Sequence, residues 1–245
     1  MAGPGAGASP REPTPRTDII REVVGTGEGF VAVGSRDDPG TGTRGAIWTS
    51  REGTQWSVHE VGESGTALTD VATNGEASVA VGRRELDARN RGGRVGYPVA
   101  YHSVDAGRSW TGTRLPEPAD SADFMTSLEE VVATPDGFLA GGAHFGGERW
   151  TYRSWIAASE DGSTWKVQAA PPLTRQLGGI QRLISSGTDV WAVQRSTGRD
   201  SSGIETYHAS GDEWDRVGNS PGGGGCRGER WRGRGEQRDP GRVDL

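Results

Sequence analysis

The chain reads as an all-β protein, a β-propeller of four-stranded antiparallel blades, with four blades recognisable and the ring not required to be complete. Three observations carry this reading. One turn, Ser103-Val104-Asp105-Ala106-Gly107-Arg108-Ser109-Trp110, recurs as Ser50-Arg51-Glu52-Gly53-Thr54-Gln55-Trp56, as Ser159-Glu160-Asp161-Gly162-Ser163-Thr164-Trp165 and, in worn form, as Ser210-Gly211-Asp212-Glu213-Trp214. The tryptophans of successive copies lie 54, 55 and 49 residues apart, a period that suits one four-stranded blade. Composition agrees: 41 glycines in 245 residues, and 9 tryptophans against 4 tyrosines and 4 phenylalanines, fit many short strands joined by tight turns. A β-sandwich also uses short strands, but it has no reason to repeat one turn chemistry at this period.

Residues 1–18, rich in Gly, Ala and Pro, are expected to form a disordered leader. The propeller is expected over 19–217. Its first blade, about 19–61, opens with Ile19 to Val24, turns at Gly25 to Gly29, continues as Phe30 to Gly34 and Ala46 to Thr49, and crosses the repeated turn to end as Trp56 to Val61. The second, about 68–113, repeats this order with Leu68 to Ala72, Ser78 to Gly82, Val99 to His102 and Trp110 to Thr113. Leu128 to Val132, Gly137 to Gly141, Trp155 to Ala158 and Trp165 to Val167 make the third, about 128–169. Ile180 to Ile184, Val190 to Val193, Thr206 to Ala209 and Trp214 to Val217 make the fourth, about 180–217.

After Val217-Gly218-Asn219-Ser220 no further inner strand is legible, and residues 218–245 turn Gly- and Arg-rich. We expect this tail to be disordered, because its composition cannot bury a core, and the repeat array to be cut short there. An array without closure is expected to expose the apolar flanks of its first and last blades.

The repeated turn resembles the Asp-box, or BNR repeat, Ser-x-Asp-x-Gly-x-Thr-Trp, that marks blades of sialidase-like β-propellers. The resemblance covers about four fifths of the chain and is specific for fold rather than activity. The motif residues, Ser50, Glu52, Gly53 and Trp56, Ser103, Asp105, Gly107 and Trp110, Ser159, Asp161, Gly162 and Trp165, and Ser210, Asp212 and Trp214, are read as structural. A short carboxylate can accept N–H groups of its own turn, glycine supplies positive φ, and tryptophan buries a large ring beside it.

In an up-and-down blade the turns joining strands three and four share a face with those joining strands one and two. Loops joining strands two and three, with the links between blades, form the opposite face, where sialidase-like propellers carry their active site. Long polar loops are expected there at residues 35–45, 83–98, 143–154 and 194–205. Arg83, Arg84, Arg89, Arg91, Arg94 and Tyr97, joined by Arg149, Trp150 and Tyr152, are the candidate ligand-binding residues, because arginine beside aromatics suits a carboxylate, phosphate or sugar ring.

No catalytic residue is assigned. The resemblance implies three arginines on a carboxylate, a Tyr nucleophile with a Glu partner and an Asp acid, yet the family's Arg-Ile-Pro motif is missing and Arg21 is followed by Glu22 and Val23. Glu22, Asp70, Glu130 and Arg182 occupy one repeat position, which reads as the wet lining of a channel. A degenerate or truncated sialidase-type glycoside hydrolase is the alternative to a non-catalytic binding or scaffold module.

His59, His102, His144 and His208 are scattered and Cys226 is the lone cysteine, so no metal or cofactor is expected. A net charge of -6 gives no case for nucleic acid, and no apolar run is long enough to span a bilayer. A protein or glycan partner is expected. No signal peptide is legible before Asp18, although the resemblance implies an exported or cell-envelope setting.

Overall fold

Each repeat folds as an antiparallel sheet in which the chain runs up and down in order, because short β-branched segments alternate with turns too tight for any crossover. The computed structural model describes residues 16–86, 95–118, 125–146, 151–171, 179–197, 202–211 and 213–221. Blade 1 comprises β1 (Thr17–Thr26), β2 (Gly29–Asp38), β3 (Gly42–Ser50) and β4 (Ser57–Val61), and blade 2 comprises β5 (Thr66–Thr73), β6 (Ser78–Leu86), β7 (Val95–Ser103) and β8 (Thr111–Arg114). In blade 3 they are β9 (Met125–Thr134), β10 (Gly137–Gly146), β11 (Thr151–Ser159) and β12 (Lys166–Gln168), and in blade 4 β13 (Ile180–Ser186), β14 (Asp189–Thr197), β15 (Ser202–Ser210) and β16 (Glu213–Pro221). One parallel pair, Gly96 with Met125, links the sheets of blades 2 and 3. Among the described residues, the all-β architecture of four four-stranded blades expected from the repeat is the architecture found. Residues 1–15 and 222–245, most of the expected leader and tail, lie outside the described residues.

The core lies between blades. Val31, Val33 and Ile47 of blade 1 pack against Leu68, Val71 and Ala80 of blade 2. Val79, Val81 and Ala100 meet Leu128, Val131, Phe138 and Trp155 between blades 2 and 3, and Ile156 meets Ile180, Leu183 and Ala192 between blades 3 and 4. Blades 2 and 3 therefore bury both faces of their sheets between neighbours, and blade 1 also buries Ala32, Ala46 and Trp48 on its other face.

Two features differ from the sequence reading. Where they are described, the long loops expected at residues 35–45, 83–98, 143–154 and 194–205 are paired hairpin arms, with Arg36 opposite Arg44, Arg84 opposite Tyr97 and His144 opposite Arg153. These arms project past the apolar core, so they carry polar residues on both faces and lose the alternation by which a strand is read. Each inner strand also contains a β-bulge at the same place, with Arg21, Thr69, Glu129 and Gln181 as the extra residue. A bulge adds a residue without changing composition, so it leaves no period to read.

Candidate functional site

The inner strands β1, β5, β9 and β13 bring Glu22, Asp70, Glu130 and Arg182 together just after their bulges. Asp70 accepts the N–H of Val71 at 2.8 Å with one oxygen and that of Val131, in the next blade, at 2.7 Å with the other. Glu130 in turn accepts the Arg182 guanidinium of blade 4, at 2.9 and 3.2 Å. Asp70 and Glu130 are each only 8% exposed, so at these two positions the expected wet lining is instead a fastening across a blade junction, while Glu22 is half-buried and the Arg182 side chain is 62% exposed. Where a bulge frees an amide from the ladder, a neighbouring carboxylate takes it up.

Burial sets the electrostatics of this row. Desolvation pushes the Asp70 carboxyl up to about 6, against the pull of its two amide partners. It pushes Glu130 up to about 7, with the Asp70 charge adding to the rise and Arg182 partly offsetting it. The Arg182 guanidinium is held above its ordinary value by the Glu130 charge. Such carboxyls sit in the range of a general acid, but both oxygens of Asp70 are taken by backbone and Glu130 is chelated by Arg182.

A second cluster lies at the end of blades 2 and 3 away from the repeated turns, where the candidate binding residues were sought. Arg84 on β6 and Tyr97 on β7 face each other across the hairpin, and Arg84 Nη1 donates to the Tyr97 phenol oxygen at 2.8 Å. The Arg114 guanidinium carbon stacks 4.4 Å from the centre of the Tyr97 ring. Each arginine has a carboxylate from an interblade link, Glu63 for Arg84 and Glu117, at 2.6 Å, for Arg114. Glu117 also accepts from Thr126 at 3.2 Å, and Thr126 meets buried His144 at 3.2 Å, so the network runs from the first link into blade 3.

Arg83 is tied to Glu85 at 2.9 Å on the same strand. Arg89, Arg91, Arg94, Arg149 and Trp150 lie outside the described residues, and Tyr152 is placed by its backbone alone, opposite Phe145. Glu63, Arg114 and Glu117 were not singled out from sequence. Their signal is weak but present, an acid just beyond the fourth strand in each of the first two links. Among the described residues no three His, Cys, Asp or Glu side chains converge as a metal site.

The repeated turns lie at the other end. Arg108, in the turn of blade 2, reaches Glu28, in the β1–β2 turn of blade 1, at 2.8 Å, so both turn types share one face as expected. In blade 2 Ser103 Oγ accepts the Gly107 N–H at 2.9 Å, Asp105 accepts the Ser109 N–H at 2.9 Å and hydroxyl at 2.6 Å, and Trp110 Nε1 donates to the Gly107 carbonyl at 3.0 Å. Blade 3 repeats the scheme with Ser159, Asp161, Gly162 and Trp165. The Ser109 hydroxyl and amide hold the Asp105 carboxyl down at about 2, and the Ser163 hydroxyl leads those that hold Asp161 well below the carboxylate range. In blade 1 Ser50 and Trp56 keep their bonds to Gly53. In blade 4 Trp214 departs, donating to the Ala169 carbonyl of blade 3 at 3.0 Å, and Asp212 lies outside the described residues.

No family model matches the chain, and no curated protein matches it in sequence. Among solved structures it is similar to a Trypanosoma rangeli sialidase in complex with sialic acid, at 16% identity and a TM-score of 0.56, covering 82% of this chain and 37% of that one. The Trypanosoma rangeli sialidase in another structure matches at 16% identity and a TM-score of 0.52, over 81% of this chain and 38% of that one. A Bombyx mori GH32 beta-fructofuranosidase matches at 10% identity and a TM-score of 0.50, over 80% of this chain and 48% of that one. This chain spans less than half the length of each of these structures. At such identities the likeness is one of architecture, and the chain has the fold of a sialidase-like β-propeller.

Proposed function

We propose that the chain is an Asp-box propeller module that binds or scaffolds without catalysis, presenting the hairpin ends and links of one face to a protein or glycan. The observation that carries this reading is the Tyr97 ring held between Arg114, stacked on its face, and Arg84, bonded to its hydroxyl. An aromatic plate with two guanidinium groups can stack on a sugar ring and bind its hydroxyls or a carboxylate. Glu63, whose side chain is 74% exposed, is a partner that an arriving acidic group can replace on Arg84 at little cost. The axial carboxylates argue against turnover, because their acceptor oxygens already fasten blade to blade.

A glycan array and a pull-down with the whole chain test this. Binding that is lost in Tyr97→Ala and in Arg114→Ala, with the fold retained, supports the reading, and binding indifferent to both overturns it. The second reading is a sialidase-type glycoside hydrolase in degenerate form, favoured by the likeness to sialidases and by the raised pKa of Asp70 and Glu130. Turnover of a fluorogenic sialoside that disappears in Arg21→Ala or Glu130→Gln would establish that second reading in place of the first.

A further inference from the structure

The repeat lets one cross-strand pair be compared blade by blade at the end of the sheets away from the repeated turns. The pair is Asp18 with Arg36 in blade 1, Thr66 with Arg84 in blade 2 and Thr126 with His144 in blade 3. Residues directly opposite one another project from the same face of a sheet, so each pair can close on itself. In blades 1 and 3 it does. Asp18 accepts Arg36 Nε at 2.7 Å with one oxygen and Nη2 at 2.8 Å with the other, and Thr126 meets His144 at 3.2 Å.

Blade 2 breaks this pattern. Thr66 stands in the place of Asp18 and brings one hydroxyl where the arginine of blade 1 has the two oxygens of a carboxylate. Arg84 therefore draws its partners from elsewhere, with Nη1 donating to the Tyr97 phenol oxygen at 2.8 Å and Nη2 donating to Glu63. Its Nε is buried and has no hydrogen-bond partner among the described residues. Glu63 comes from the link between blades 1 and 2, and its side chain is 74% exposed against 22% for Arg84. It thus fills one arm of a fork that Asp18 fills completely in blade 1. A buried donor left over in this way carries a cost that a second oxygen would remove.

We infer that the Nε–Nη2 edge of Arg84 is a subsite for a carboxylate carried on a sugar ring, and that Glu63 is an internal competitor which this ligand displaces. The inference rests on the reading of this face as a glycan-binding surface and names an acidic glycan as its ligand. The ligand carboxylate stands to Arg84 as Asp18 stands to Arg36, one oxygen on each nitrogen, with its ring beside Tyr97. Arg114 offers no second subsite of this kind, because its partner Glu117 is only 12% exposed and also accepts from Thr126. Displacement exchanges a one-point contact for a two-point one and returns Glu63 to water, so the site selects acidic over neutral sugars.

Isothermal titration of the whole chain tests this with trigalacturonate against its carboxyl-reduced counterpart, and with 3′-sialyllactose against lactose. At least one acid is expected to bind about tenfold more tightly than its neutral counterpart, and the acid that does so identifies the sugar carrying the carboxylate. Glu63→Ala is expected to tighten that acid severalfold and to leave the neutral sugar unchanged. Glu28→Ala makes the same change of charge at the other end of the blades and is expected to tighten neither. Arg84→Lys keeps the charge without the fork and is expected to bring the acidic and neutral affinities together, with circular dichroism unchanged. Acidic and neutral sugars bound alike by the parent, an effect of Glu28→Ala equal to that of Glu63→Ala, or an acid preference that survives Arg84→Lys overturns the inference. In each of these cases neutral-sugar binding that is lost in Tyr97→Ala leaves the glycan reading standing, whereas absence of binding to every sugar removes both.

Discussion

Asp70, on the inner strand of blade 2, accepts the backbone N–H of Val131, on the inner strand of blade 3, at 2.7 Å, while its other oxygen holds the N–H of Val71. One carboxylate therefore closes two amide groups that the bulges leave outside the sheet ladder, and ties adjacent blades at the axis. Replacing Asp70 by Asn turns one acceptor into a donor facing an amide donor, and Ala removes both acceptors. Each is expected to destabilise the fold by about 1–3 kcal/mol, the usual cost of an unsatisfied buried polar group. Urea denaturation reads this directly, and a loss below a few tenths in both variants would show that the fastening contributes nothing.

The same residue gives stability a pH dependence of definite sign. Asp70 and Glu130 have folded-state pKa values of about 6 and about 7, above those of an unfolded chain, so the folded protein binds protons more tightly in between. Their stabilisation is full below about pH 4 and is lost as pH rises through 6 and 7. Asp105, held down at about 2, acts in the opposite sense, contributing above about pH 4 and losing that contribution as pH falls. Stability is expected to peak at mildly acid pH and to fall by about 2–3 kcal/mol towards pH 8, with the fall reduced in Glu130→Gln. Denaturation midpoints across this range check it, and a profile that rises towards pH 8 would contradict it.

Arg182 is the only cation in this row, and it is bonded to Glu130 through both carboxylate oxygens. Arg182→Leu leaves that carboxylate buried beside Asp70 with its counter-charge gone. The variant is expected to be more strongly destabilised at pH 8 than at pH 5, because protonation relieves Glu130 in acid. Equal loss at both values would mean that the arginine acts by packing alone.

Blade number, strand order and the face of the repeated turns were legible in sequence because they rest on local chemistry. Ser159, Asp161, Gly162 and Trp165 satisfy one another within a few residues, so the turn rests on groups adjacent in sequence. Two kinds of feature were not legible. The bulges at Thr69 and Glu129 depend on a choice between neighbouring registers that polar residues on either side permit equally. The partners of Arg84 and Arg114 come from links whose path is set by how blades stack, so Glu63 and Glu117 could not be matched to them from spacing. Asp70 and Glu130 stood out in sequence as a repeated polar position, but their role as fasteners required knowing that the adjacent amide leaves the ladder.

The repeated turn also seats one blade on the next, which separates its glycines into two classes. Gly162 has φ +78°, and a Cβ there would lie 2.6 Å from Val79 Cγ2 in blade 2. Gly53 has φ +75° but has only Phe30 of its own blade nearby, at 3.6 Å. Gly162→Ala therefore combines backbone strain with a clash across a blade junction, whereas Gly53→Ala meets the strain alone. The first is expected to lower the thermal midpoint clearly more than the second, and similar losses would place the whole cost in the backbone.

Tryptophan shows the same dependence on neighbours. Trp165 is 7% exposed and forms part of the core between blades 2 and 3, whereas Trp56, at the same position of the motif, is 41% exposed on blade 1. Both indoles donate to the carbonyl of their own turn glycine, Trp165 at 3.0 Å and Trp56 at 3.1 Å, so the local bond is the same and only burial differs. Trp165→Ala is expected to cost about 3–5 kcal/mol, as for a large buried aromatic, and Trp56→Ala about 1 kcal/mol in the isolated chain. Urea denaturation of the two variants checks this, and equal costs would mean that the shared turn bond rather than burial sets the contribution of each indole.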